Sequence, residues 1–265
     1  MIRALVGRNL RHQGRLIVAL TLGLAVVELL IVQLAGLLES GPGLRDLVGA
    51  MPLPVQELFG AQLRLASFSA AVAFGFQHPV VLVAALALVI VGSTIPAGEK
   101  ETGTLDLVLA RPIRRGWYFS SSLVLVLLAS VLLPGALLIG GIVGLGLVDA
   151  PDELQWTRYT MSAVGLATLL LALGGVSLLL ASGARRRGPA VARAVALILV
   201  LYLLEVFGDL WSSLGWIRWA SPFHYFNPIQ SAIAGRTPVV NLLVLLAVFA
   251  LTTALAFVQF NRRDV

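Results

Sequence analysis

The residues that could do chemistry in this chain are few, and most crowd into one stretch. Between two long apolar runs the sequence reads IPAGEKETGTLDLVLARPIRR, from Ile95 to Arg115. Glu99 and Glu101 lead into Gly103-Thr104. Thr104 can cap a helix, and Asp106 falls in its first turn, where the helix dipole favours a carboxylate. Leu105, Val108 and Leu109 then form one apolar stripe, widened by Leu107. Arg111-Pro112 ends the helix, because the residue before proline is pushed out of the helical region. A helix of about seven residues cannot hold itself together in water, so some surface must cover it. The lipid interface is one such surface, and a groove on a cytoplasmic partner is the other. Either way the chemistry is recognition, not bond making.

A second set of polar residues lies inside apolar runs. Glu28 sits midway along the first run with Gln33 beyond it, and Glu205 lies in the fifth, one turn before Asp209. A charge at the centre of a bilayer costs about 2.5–3.5 kcal/mol on insertion scales, so such residues face a helix bundle or a wet cavity. Glu28, Gln33 and Glu205 are therefore candidates to line a pathway for cationic or hydroxyl-bearing substrates. The alternative is that they hydrogen-bond neighbouring helices.

Catalytic signatures are missing. Lys100 is the only lysine and its context matches no GxxxxGK[ST] phosphate loop. His12, His78 and His224 are scattered, with no HExxH, and there is no GxSxG elbow. The chain has no cysteine, which removes disulfides, thiolate metal sites and cysteine nucleophiles together. It reads as a non-enzyme, and such a chain could still be half of an energised machine whose other half is a separate subunit.

The elements that position these residues follow from composition. Of 265 residues, 58% are hydrophobic and 12% charged, with a mean hydropathy of +0.95. Lipid must be the solvent for much of such a chain. Six runs reach the roughly 20 residues needed to cross a hydrocarbon core of about 30 Å. They lie near Leu16–Leu38, Pro79–Ala97, Phe119–Val148, Tyr159–Ala181, Ala190–Leu210 and Val239–Phe260. Their uniform rather than alternating apolarity predicts helices, giving an all-α polytopic membrane protein in a single domain, 1–265. Pro134 is expected to kink the third span. Gly140, Gly141, Gly144 and Gly146, and Gly174-Gly175, provide small faces for close helix packing.

Arg3, Arg8, Arg11, Arg15, Lys100, Arg111, Arg114, Arg115, Arg185, Arg186, Arg187, Arg193, Arg262 and Arg263 fall on one side of this plan, leaving five arginines for the other. The positive-inside rule then puts both termini in the cytoplasm. The first span is too long for a cleaved signal peptide and lacks a small-x-small site after it. Residues 1–15 are expected to form a basic amphipathic helix in the cytoplasmic interface. Glu39 to His78 is expected to be an outer loop with short interfacial helices, broken by Gly41, Pro42, Gly43, Pro52 and Pro54. The aromatics from Trp211 to Phe226 are expected at the outer headgroup level. The run Arg185-Arg186-Arg187 reads as a topology determinant.

The stretch Glu99-x-Glu101-x-Gly103-Thr104-Leu105-Asp106-Leu107-Val108-Leu109-Ala110-Arg111-Pro112-Ile113-Arg114-Arg115 resembles the loop after the second span of the membrane subunits of ABC-2-type ABC transporters. Ser221-Pro222-Phe223-His224-Tyr225-Phe226-Asn227-Pro228 and the ending Phe260-Asn261-Arg262-Arg263-Asp264 are similar to further family patterns. Met51-Pro52 through Leu58-Phe59-Gly60 looks like the exporter-type branch. The resemblance implies an ABC-2 (type V exporter-like) permease fold in a bacterial or archaeal cell membrane. It implies a homodimer of permeases working with two copies of a separate ABC ATPase, which would carry the ATP and Mg. The loop 98–116 would be the coupling helix, with Leu105, Val108 and Leu109 as docking knobs and Gly103 as the close-approach point. Thr104 and Pro112 would bound it. Glu99, Glu101, Arg111, Arg114 and Arg115 would orient it through salt bridges to the ATPase or to the basic N-terminal helix. The expected cargo is a hydrophobic or amphipathic compound such as an antibiotic or lipid-like molecule. Alternatives are a metal- or sulfur-handling permease of the same superfamily, or a non-ABC scaffold or secondary transporter. Against copper, Met1, Met51 and Met161 form no soft-ligand cluster.

Overall fold

The structure is a computed structural model that describes residues 2–40, 68–103, 115–148, 156–234 and 238–262. Among these residues every regular element is a helix. We label the α-helices α1 (Ile2–Ser40), α2 (Phe68–Gly75), α3 (Pro79–Ser93), α4 (Ile95–Glu101), α5 (Arg115–Leu145), α6 (Trp156–Ser182), α7 (Arg187–Leu210), α8 (Pro228–Ala234) and α9 (Val239–Arg262). Two 3-10 helices, Ser212–Ala220 and Pro222–Tyr225, separate α7 from α8. Among the described residues, six helical stretches are long and apolar enough to cross a membrane, in the order expected.

The centre of the bundle is α6, whose membrane-length window is 67% buried, whereas those of α1, α7 and α9 are 11–17% buried. Leu166, Leu169, Leu170 and Leu173 of α6 pack with Val89 of α3 and with Val126, Leu133 and Leu137 of α5 in one core. Adjacent glycines of α6 serve different neighbours. A Cβ on Gly174 would lie 2.4 Å from Val126 Cγ1 of α5, and one on Gly175 would lie 2.4 Å from Thr252 Oγ1 of α9. The small face on α5 also does what its spacing predicts. A Cβ on Gly140 would meet the Ala25 carbonyl oxygen of α1 at 2.1 Å, and one on Gly144 would meet Val32 Cβ at 2.9 Å. The glycines let the α1 and α5 backbones touch, a contact that lipid cannot drive by a hydrophobic effect. Pro134 lies inside α5 without ending it.

Two expectations change. Residues 1–15 do not form a separate interfacial helix; from Ile2 onward they are the first turns of one continuous 39-residue helix, α1. No proline interrupts that run, and Gly7 and Gly14 alone are too weak to end it. The tail of the expected outer loop also belongs to a membrane-length stretch, not to a short interfacial helix. Residues 68–75 form α2, with Phe68, Ala70, Val72 and Ala73 buried, and α2 with α3 makes the second membrane-length stretch, Phe68–Ser93. A turn at 76–78 interrupts it, where Pro79 opens α3 and the His78 Nδ1 accepts the Val80 N–H (3.3 Å). Residues 41–67 lie outside the described part.

Candidate functional site

Short helix α4 begins where α3 ends, with Thr94 between them and Pro96 near its start, a position that has no need of the missing N–H. It stops at Gly103, whose φ of +67° is the left-handed conformation that glycine adopts without a Cβ penalty. Beyond its chain neighbours, none of the described residues comes within 4 Å of where a Gly103 Cβ would be, so among them glycine answers to the backbone turn and not to a close approach.

Side chains of α4 tie together four other helices. Glu99 accepts hydrogen bonds from the Arg8 guanidinium of α1 and the Tyr118 hydroxyl of α5. Beside them, Asn9 Nδ2 donates to Ser121 Oγ (3.4 Å), and that hydroxyl donates to the Tyr118 carbonyl (2.7 Å). Glu101 Oε2 accepts the Arg187 N–H at 2.9 Å, satisfying a backbone donor at the start of α7. Lys100 Nζ sits 4.9 Å over the Phe260 ring of α9, which in turn stacks on Tyr118 with centroids 6.1 Å apart. The start of α1, the end of α9, the α6–α7 turn and the polar loop therefore share one end of the bundle. That is the grouping charge counting requires.

The two glutamates thus engage the chain's own helices. Of the residues expected to form the coupling element, Gly103 follows directly on this hub and Arg115 begins α5. Thr104, Leu105, Val108, Leu109, Arg111 and Pro112 lie outside the described residues. The exposed Arg185, Arg186 and Arg187 stand on the same end.

The residues expected to line a pathway do not converge. Glu28 is fully buried between α1, α2 and α5. Gln33 Nε2 donates to the Gly144 carbonyl of α5 at 2.9 Å, reinforcing the glycine contact. Glu205 Oε1 accepts from Arg218 Nε (3.0 Å) and Nη2 (2.5 Å), while Arg218 Nη1 reaches Asp209 at 2.9 Å. The hydrogen bond to Glu205 is the main cause that holds the Arg218 guanidinium above its ordinary pKa, so it stays charged throughout the usable range. Packing and anchoring account for Gln33 and Glu205 in this conformation.

Sequence reasoning missed an apolar cleft of about 340 Å³ between α3 and α7. Leu86 and Ile90 line it from α3, Val195, Leu199 and Tyr202 from α7, and Phe223 from the second 3-10 helix. Tyr202 brings the one hydroxyl among the lining side chains, and its ring meets Phe223 edge-on at 5.4 Å. The Ser221–Pro228 motif builds this corner. Ser221 Oγ donates to the Leu201 carbonyl (2.8 Å) and accepts the Phe223 N–H (3.2 Å), fixing Phe223 against α7. Asn227 Oδ1 accepts the Gln230 N–H (3.2 Å) at the start of α8, whose first carbonyl is bound by Ser162 Oγ of α6 (3.2 Å). No periodicity in either helix announces a cleft, because the space comes from how two distant segments sit. Trp211, Trp216 and Trp219, on and just before the first 3-10 helix, are exposed.

Among the described residues, six membrane-length helical stretches, with a polar hub at one end and an apolar cleft between two of them, define a multi-pass membrane protein. The family model described as ABC-2 family transporter protein matches residues 15–265, and the chain belongs to that family. It is accordingly a membrane permease of an ABC transporter, a class that associates with an ABC ATPase. Comparison with curated proteins gives no significant match.

Proposed function

We propose that this permease exports a hydrophobic or amphipathic compound, driven by two copies of a separate ATPase that engage the loop after Glu101, with the permease acting as a homodimer. The apolar cleft between α3 and α7 carries the reading of the cargo. Its walls are almost wholly aliphatic and aromatic with one hydroxyl, a lining that rewards burial of apolar surface and offers little to a hydrated ion. The α3 wall of the cleft runs on into α4, since Thr94 alone separates the two helices. A pull on α4 therefore reaches one wall of the cleft, and ATPase closure becomes a shift between two packings. Glu99 and Glu101 keep α4 in step with α1, α5 and α7. The Lys and Arg count supports a cytoplasmic hub end, where an ATPase would meet it.

The test is to fill the cleft. Leu86→Trp and Leu199→Trp, in permease reconstituted with its ATPase, are expected to abolish stimulation of ATP hydrolysis by amphipathic compounds while basal hydrolysis persists. Full stimulation in both variants would overturn the assignment of the cleft.

A further inference from the structure

Glu28 takes no part in the hub, the outer ion pairs or the cleft, yet it is fully enclosed. Its exposure is 0%, and among the described residues neither carboxylate oxygen has a hydrogen-bond or ion-pair partner. Buried polar groups are satisfied in the great majority of cases, so an orphaned carboxylate in a membrane span calls for a reason. Its surroundings are shaped to it. A Cβ on Gly75, the last residue of α2, would land 1.9 Å from Oε2, and one on Gly141 of α5 would lie 3.6 Å from Cγ. The carboxylate therefore occupies the room that a side chain at residue 75 would fill. It does so where the second span breaks, immediately before the turn at 76–78.

We propose that Glu28 is a proton-binding site, and that proton binding there holds α1 against the broken second span. Size decides between ligands. With Glu28 wholly enclosed, a hydrated ion cannot reach it unless a helix moves. Among the described residues no group of three His, Cys, Asp or Glu could hold a bare metal ion, whereas a proton needs neither added volume nor further ligands. Charge points the same way, since an ionised carboxylate enclosed without a counter-ion is costly in an apolar site. Among the described side chains, the other titratable groups on the surrounding elements lie elsewhere. On α1 itself the nearest along the chain, Arg15 and Glu39, are about three to four turns away. His78 follows the end of α2 and has its Nδ1 engaged by Val80, and Tyr159 of α6 packs with Val32, Val72 and Leu145. Arg115 and Tyr118 sit at the opposite end of α5 from Gly141, while α3 and α8 carry no titratable residue. The proton is taken from water as the contact closes and returned to water as it parts, with an O–H bond made and broken and no other reactant. The packed arrangement binds the proton and the parted one releases it, so raising the pH favours parting.

The full chain in nanodiscs, with nitroxide labels on cysteines placed at Val26 and Phe74, reports the α1–α2 separation directly, because the native chain has no cysteine. The expected result is a parted-to-packed ratio that rises with pH, by up to about tenfold per unit for one linked proton. Glu28→Gln is expected to flatten that response. Glu28→Met, another uncharged chain of similar length, serves if the glutamine variant does not fold. Infrared difference spectra of the same samples are expected to contain a protonated-carboxyl band that both variants lack. A pH response equal in wild type and variants, no response in wild type, or no such band would overturn the proposal.

Discussion

Replacing Gly140 by alanine tests the close packing of α1 on α5 with its own internal scale. The added Cβ would sit 2.1 Å from the Ala25 carbonyl oxygen and 2.8 Å from its carbon. Ordinary contact begins at 3.4 Å, so the helices must separate by about 1.3 Å. A gap of that order already forfeits a quarter to a half of the dispersion energy along the contact. Overpacking typically costs about 1–3 kcal/mol, and a backbone obstacle that cannot rotate away puts Gly140→Ala near the upper end, about 3 kcal/mol. Gly144→Ala meets Val32 Cβ at 2.9 Å, a smaller shortfall against a side chain, and is expected to cost about 1 kcal/mol. Gly135→Ala, on the same helix with no other described element within 4 Å of the added Cβ, is expected to be neutral or to stabilise by up to about 1 kcal/mol through helix propensity. Reversible unfolding in mixed micelles with rising denaturing detergent, followed by circular dichroism, measures all three. Suppressors sharpen the test. Val32→Ala is expected to relieve Gly144→Ala in part, whereas Ala25→Gly cannot relieve Gly140→Ala, because the obstacle is the carbonyl and not the methyl. Equal stability of Gly140→Ala and Gly135→Ala would refute the reasoning.

Three further outcomes follow from the same contacts and from the loop. Glu101→Ala removes the acceptor of the Arg187 N–H and is expected to cost about 0.5–2 kcal/mol at the start of α7, seen as faster hydrogen exchange over residues 187–190. Arg218→Gln leaves Glu205 and Asp209 without their shared guanidinium and is expected to lower stability by about 1–3 kcal/mol, read as a fall in melting temperature. Because the folded-state pKa of Arg218 is raised, its contribution is fully present below the ordinary arginine value and is lost only above the folded one. Moderate alkali is therefore expected to leave this bridge intact. Leu105→Asp combined with Leu109→Asp is expected to abolish co-purification of the ATPase while the permease still inserts; retained co-purification would count against docking through that stripe.

Much of the architecture was legible because hydropathy is summed over about 20 residues, and a signal of that length survives local irregularity. The glycine face of α5 was legible for a related reason: Gly140 and Gly144 are about one turn apart, so spacing alone puts them on one side. Local breaks read less well. Gln77-His78-Pro79 looked like the edge of a loop, although apolar Phe68–Gly75 before it is helix, because a polar turn inside a span and one outside it share composition. The absence of a boundary near residue 15 was equally hard to see, since basic residues at helical spacing suit an interfacial helix and the root of a span alike. Pairings across the chain were not legible in principle. Glu99 meets Arg8 and Tyr118, 91 and 19 residues away, and nothing local distinguishes it from Glu101, which meets α7 instead. The cleft belongs to the same category.

The continuity of α1 has a mechanical consequence. Its membrane-length stretch starts at Gln13, so residues 2–12 extend the span as one rod, by about 16 Å at 1.5 Å per residue. Such an overhang is a lever. A tilt of about 10° within the bilayer swings its tip by about 3 Å, and a push on the tip tilts the span by the same ratio. Arg8 grips Glu99 on that arm, so the hub is also the point where leverage on the first span is applied.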